Sequence, residues 1–560
     1  MRLLGRAHDK DFWAQVREKE VFKQYVKRCE EIYAEKKAEG DLRSLKYSEF
    51  KLFWTTGDRA IYQAPYFSRR IYMENAALLC LIYPEEQEYL DTLMDIIYAI
   101  CDEYTWCLPA HQGQLEPNNN VRIDLFAAET GFALAEIYTL LEDRLEGLIK
   151  NRIIAEIDRR IVKPFAGVEN YGWWENGRLN WTAVCMGSVS NTLMLMRPDL
   201  VDEKYIARLK KSLDGFLTGF DSDGICFEGS GYWGYGFGFF VMCAEMARTF
   251  TNGELDYFKL DKVRKIATFH QKMFLSGNAN ASFSDSGPTL NQPTYLIHFL
   301  KKEYPDDILV YDKKYSLNGV GKFCQHMRTF LWFNEEAAAS PATNDVEFEM
   351  YADEAQWMIK KTAAYGFAAK GGDNKEFHNH NDVGSFVFAK EGRHIFTDPG
   401  GGKYTRQYFA LDTRYTTVEC SSRGHSVPMI GDICQSYGKE FAAKDAKYES
   451  GVFSLDLAGA YECEGLNSIK RSFAFTEDKV TLTDTFDYTG EGKLVQRLVT
   501  SHAPEKVTEG NIKVDIGGVL YDPAICEVKI SDEPLSKGGK VYYIDFILNA
   551  DVNSSTVTLY

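Results

Sequence analysis

The chain has 560 residues, 45% hydrophobic and 26% charged, a make-up that excludes a disordered, collagen-like or purely coiled-coil protein. Against 81 Asp and Glu stand 64 Lys and Arg, a formal net charge of −17, so the surface as a whole repels nucleic acid and anionic membranes while leaving room for a local basic groove. Twelve cysteines without a CxxC pair read as reduced, mostly buried thiols rather than a disulfide framework.

The N-terminal stretch Met1–Lys10 has no apolar core of a secretory signal, and no run of about 18 apolar residues occurs. The expectation is a cytoplasmic chain without a membrane span. Residues 1 to about 335 read as helices. In Glu85–Tyr104, Leu90, Leu93, Ile96, Ile97 and Ile100 recur at steps of three and four. Asp124 precedes the apolar run Leu125–Leu141, and Asp202 opens a stripe of Ile206, Leu209, Leu213 and Leu217. Such one-sided helices pair to bury their stripes, which predicts an all-α array. Ala337–Asn344 is small, polar and proline-bearing, and reads as a linker. Beyond it the period becomes two. Val480, Leu482, Asp484, Phe486 and Tyr488 share one side, with hairpins expected at Phe386–Phe396, turning at Glu391-Gly392, and at Arg471–Val480. Short antiparallel strands of this kind predict a β-sandwich. The expected plan is two domains, 1–336 helical and 345–560 stranded.

Four segments carry candidate chemistry. His378 and His380, in Phe377-His-Asn-His-Asn-Asp382, would share a face if the backbone were extended; Asp398 follows His380 by 18 residues, and His425 comes later. Two imidazoles and a carboxylate suit zinc, or manganese with added water. The stretch Asp223–Gly238 interleaves glycines with Tyr232, Trp233 and Tyr235, which suits either a sugar-stacking surface or a close helix contact. Asn180, in Asn180-Trp181, suits an amide donor or a helix cap. His111 is a lone loop histidine that could equally be structural.

Together these residues resemble the heparinase II/III-like polysaccharide lyases, from Trp106 to about Gln435. The block His378–Phe386 with Asp398 and His425 resembles that family's metal site. The block Glu228–Tyr235 resembles its catalytic-tyrosine segment, and Asn180-Trp181 its carboxylate-neutralising segment. The resemblance implies an N-terminal incomplete (α/α) toroid, a C-terminal antiparallel β-sandwich, and β-elimination at a uronate that leaves a 4,5-unsaturated end. Abstraction of the C5 proton builds charge beside a carboxylate, so that carboxylate must be neutralised. The resemblance assigns this to Asn180, with Tyr232 as the acid and either Tyr232 alone or Tyr232 with His378 as the base, His378 above all for the epimer with C5–H on the other face. His111, Glu228, Trp233, Arg178, Arg406, Arg414 and Arg423 are the expected substrate contacts. His380, Asp398 and His425 are the expected ligands of one structural divalent metal, zinc first, manganese or calcium otherwise. Because Tyr232 and His378 fall in different halves, the interdomain cleft is expected to close around a sugar between them. The partner is an acidic poly- or oligosaccharide such as a glycosaminoglycan or alginate, and a homo-oligomer is compatible with the sequence. Rival readings are a toroidal glycoside hydrolase using two of Asp223, Glu228 and Glu175, or a non-catalytic carbohydrate-binding protein.

Overall fold

A computed structural model of the chain describes residues 2–40, 44–115, 120–311, 321–340 and 346–560. Helices dominate through Ala339, and strands follow from Phe348. The two acidic caps read from the sequence form: Asp124 accepts from Ala127 N at 2.8 Å to open the helix Leu125–Leu141, and Asp202 accepts from Tyr205 N at 2.8 Å to open Glu203–Leu217. The periodic stretch near residue 90 becomes the helix Gln87–Cys101, with Leu90, Leu93, Ile96, Ile97 and Ile100 all buried.

Three local expectations change. Asn180 is the first residue inside the helix Asn180–Met196 and not its cap: its Nδ2–H is spent on Glu228, and its Oδ1 accepts from no backbone N–H. A two-stranded ribbon, Phe274–Ser276 with Ala279–Asn280, interrupts the helical half. The start of the expected linker closes a short helix, Glu335–Ala339, capped by Asn334; positions 341–344 of it lie outside the described residues.

Every strand pairing among the described residues is antiparallel. Both expected hairpins are present, as Phe386–Lys390 with Arg393–Phe396 and Leu466–Phe475 with Val480–Tyr488. In the latter strand Val480, Leu482, Asp484 and Phe486 are buried, and Thr481, Thr483, Thr485 and Asp487 face outward. An eight-stranded sheet holds this hairpin; beside it lie a four-stranded sheet with Leu494–Thr500 and a five-stranded sheet running from Phe348 to Phe396.

The five-stranded sheet joins the two halves. Met358, Phe367, Phe386 and Phe388 pack toward the eight-stranded sheet, into a core with Phe453, Phe473 and Leu482. Trp357, Ile359, Ala368 and Val387, on the other face, belong to the core of the helical half. This is why Phe386–Ala389 reads as a continuous apolar run and does not alternate: both faces are covered. Trp357 meets Phe283 edge to face at 5.0 Å. Gly366 sits so close to the ribbon that a Cβ there would lie 2.1 Å from Leu275 O. No helix among the described residues is long and apolar enough to cross a membrane, and all twelve cysteines are unpaired.

Candidate active site

A cavity of about 820 Å³ opens between the halves. Arg59, His111, Asn180, Trp181, Tyr232 and Tyr235 line it from the helical side. Phe377, His378, Tyr404, Arg406, Phe409 and Arg414 line it from the strand side.

On the helical wall, the glycine-rich block folds as a short helical turn, Ser230–Tyr232, and a π-helical turn, Trp233–Phe237. Tyr232, at the end of the first turn, and Tyr235, in the widened one, both line the cavity. Gly236 is there for packing: a Cβ would lie 2.9 Å from the Asn180 Cβ. Asn180 is held by Glu228, which accepts its backbone N–H at 2.8 Å and its Nδ2–H at 2.5 Å; Asn180 Oδ1 is buried without a partner. Burial raises the proton affinity of Glu228. His111 Nδ1 lies 2.7 Å from Asp124, the carboxylate that caps the neighbouring helix, and its ring stacks on Phe126. Arg59 Nη2 is 3.4 Å from His111 Nε2 and meets no carboxylate among the described residues.

On the strand wall, His378 and His380 lie in a turn and not on a strand, with His378 at φ 56°, a left-handed conformation rare for a residue with a side chain. They converge all the same, on Asp285 of the helical half. Nδ1 of His378 lies 2.6 Å from Asp285 Oδ2 and Nε2 of His380 lies 3.1 Å from Oδ1. Tyr404, Tyr408 and Arg414 also donate to this carboxylate. Burial alone would favour its protonated form, but the two histidines outweigh burial and hold Asp285 well below the usual carboxylate range.

Tyr232 and His378 are already in contact. Their rings stack with centroids 4.1 Å apart at 22°. The expected closure around a sugar held between them is therefore corrected: no ring fits there, and the two groups present their edges from one wall. The Tyr232 hydroxyl is 2.8 Å from that of Tyr404. Since Tyr404 spends its hydrogen on Asp285 at 2.9 Å, Tyr232 donates to Tyr404. Burial raises Tyr232 above the ordinary phenol range, so it is a neutral acid here and not a phenolate.

The expected metal ligands His380, Asp398 and His425 do meet, and Asp382 joins them; one ligand atom from each lies within 4.8 Å of the others, all buried. Nε2 of His425 faces the Glu419 carbonyl at 3.0 Å, and a carbonyl only accepts, so that nitrogen carries the hydrogen. Nδ1 of His425 is left facing Asp398 at 3.0 Å and Asp382 at 3.9 Å. Nδ1 of His380 and Oδ2 of Asp382 have no hydrogen-bond partner. A cation answers each of these groups, so the residues fit a divalent metal. Burial lowers the proton affinity of His380, but Cys420 and Asp285 raise it to about 10; a cation would displace that extra proton. Lys370 Nζ, 2.8 Å from Asp382 Oδ1, offsets part of the negative charge.

Not every expected substrate contact reaches the cavity. Trp233 is fully buried, donating to Ile266 O at 2.8 Å and stacking on His270. Glu228 lies behind Asn180. Arg423 pairs with Glu533 at 3.7 Å, away from the cavity. Arg178 is exposed, its guanidinium 5.9 Å above the Phe377 ring. Arg406 lines the cavity and donates to Trp54 O at 3.0 Å, and Arg414 is tied to Asp285 and to Asn379 O. Asp285, Tyr404, Arg59 and Asp382 escaped sequence reasoning. Asp285 sits in Phe283-Ser-Asp-Ser-Gly-Pro288, which reads as an ordinary turn. Asp382 belongs to the same block as His378 and His380, and its carboxylate there is the sequence signal for a fourth ligand.

No protein-family model and no curated protein sequence matches the chain. Solved structures do. A heparinase III structure aligns with TM-score 0.61 at 15% identity over 90% of this chain and 77% of its own. A mutant of heparan sulfate lyase HepC from Pedobacter heparinus aligns with TM-score 0.60 at 13% identity over 95% and 87%. A Streptomyces coelicolor A3 chondroitin AC lyase in complex with chondroitin sulphate aligns with TM-score 0.55 at 10% identity over 98% and 82%. The chain thus shares its fold, a helical part followed by antiparallel sheets, with these polysaccharide lyases.

Proposed function

We propose that the chain is a lyase of uronate-containing glycans that works by β-elimination, with an incomplete (α/α) toroid and a β-sandwich as its two domains. The observation that carries this reading is the stack of Tyr232 on His378 at one wall of a cavity that Asn180 and Arg59 also line. Nε2 of His378 takes the C5 proton, and the neutral Tyr232 hydroxyl gives its proton to the departing O4. The second Nδ2 hydrogen of Asn180 and the guanidinium of Arg59 neutralise the uronate carboxylate while charge builds at C5. Because acid and base share one wall, the favoured epimer has C5–H and O4 on the same face. Phe377, Phe409 and Trp181 supply faces for sugar stacking. His380, Asp382, Asp398 and His425 would hold the metal, zinc by donor type, which would tie the histidine turn to the strands around it.

The hydrolase reading finds no support. Glu175 is bound by Arg208 at 2.6 Å, Asp223 is 3.9 Å from Lys265, and neither they nor Glu228 line the cavity. Glu376 is the single carboxylate among the described lining residues, and hydrolysis needs two. The test is ultraviolet absorbance of the conjugated C4–C5 double bond over a panel of glycosaminoglycans, alginate and their oligosaccharides. Appearance of the chromophore, abolished by Tyr232→Phe with binding retained, is expected. Reducing ends without it would overturn the reading.

A further inference from the structure

Asp285 divides its two oxygens between two histidines with different tasks. Oδ2 faces Nδ1 of His378, and Oδ1 faces Nε2 of His380. An ionised carboxylate only accepts, so each ring carries a hydrogen on the nitrogen turned to Asp285. The opposite nitrogens are then the ones left for other work: Nε2 of His378, 3.9 Å from Glu228 Oε1, and the partnerless Nδ1 of His380. We propose that Asp285 is a positioning residue, a single carboxylate from the helical half that sets the tautomers of both imidazoles, baring Nε2 of His378 for the substrate proton and Nδ1 of His380 for a cation.

The surroundings are built to hold this carboxylate still. Tyr404 and Tyr408 donate to it from one loop, and Arg414 reaches Oδ1 at 3.4 Å. The backbone bends unusually on both sides of the contact, with Ser284 at φ 61° and His378 at φ 56°. The strand-half loop makes room with glycine. Gly400, at φ +65°, could take a Cβ only 2.2 Å from Ser286 O, and at Gly401 one would lie 3.1 Å from Asp285 itself.

The role given to His378 rests on the proposed lyase reading, but the tautomers can be measured without any substrate. In the full-length, zinc-loaded protein labelled with ¹⁵N-histidine, long-range ¹H–¹⁵N NMR should show His378 protonated on Nδ1 and His380 on Nε2. In Asp285→Asn the side-chain oxygen must stay beside Arg414, which only donates, so the amide NH₂ turns to His378 and drives its hydrogen to Nε2. Turnover should then fall by roughly 10²–10⁴-fold, while KM and bound zinc stay as in the parent. A parent protein with His378 protonated on Nε2, or a variant with its His378 signature unchanged, overturns the proposal; so does a loss confined to KM or to zinc. If Asp285→Asn fails to fold, the parent spectrum decides alone. If no uronate glycan is cleaved, the lyase reading fails, and the spectra still judge Asp285.

Discussion

The strand half buries two charged clusters, and they are finished differently. Arg471 donates to both oxygens of Asp484 at 2.7 Å and to Gly384 O and Ser426 O at 2.8 and 2.6 Å, with Gln496 adding a bond to Asp484 at 3.0 Å. That cluster is closed. The cluster of His380, Asp382, Asp398 and His425 leaves a ring nitrogen and a carboxylate oxygen without partners, and Asn180 beside the cavity leaves its Oδ1 bare. A folded chain rarely tolerates such open ends unless something else completes them. The closed cluster ties strands together, and the open one is the set of groups that fits a cation.

The comparison can be broken by experiment. The largest expected effect is at the closed cluster: Arg471→Met strands a buried Asp484 and should cost about 3–5 kcal/mol in urea unfolding, equally with and without a chelator. A loss that depends on metal would erase the distinction. Next, Asn180→Ala should lower kcat by roughly 10²–10³-fold, about 2.7–4 kcal/mol of transition-state stabilisation. His380→Ala should lose bound metal. Zinc at about a hundredfold over its dissociation constant should stabilise the parent by about 2.7 kcal/mol and leave this variant unmoved.

The smallest effect concerns Glu74, buried in the helical half, where burial pushes its carboxyl up to about 8 despite Lys322. The folded state then holds a proton that the unfolded chain releases near its ordinary value. Stability therefore falls as pH rises through that window, by at most about 1.4 kcal/mol per unit. Glu74→Gln should match the parent at low pH and exceed it at pH 8 in thermal melts. Parallel curves for the two proteins would dismiss the shift.

Local signals carried the architecture well. Asp124 and Asp202 act as caps as read, and the alternation of Val480–Phe486 gives the correct buried side, because caps and periods depend on near neighbours. The site was half legible. His378, His380 and His425 are three of only ten histidines, and Asp398 lies between the last two of them in one stretch of the strand half, whereas Asp285 comes from the other half of the chain with only turn chemistry around it. Trp233 misled because an aromatic among glycines suits a sugar platform as well as a core. The expected gap between Tyr232 and His378 failed for the same reason as Asp285 was missed: nothing local says how deeply one half reaches into the other.

The sheet shared by both cores bears on how the molecule comes apart. Removing the strands from Phe348 onward would leave Phe283 and Leu275 facing solvent, and removing the helices would uncover Trp357 and Ile359. Neither piece owns a complete interior, so a cut near residue 340 severs a common wall. Calorimetry should record one cooperative transition for the whole chain, and shuffling either piece into a chimera would require redesigning the face it leaves behind.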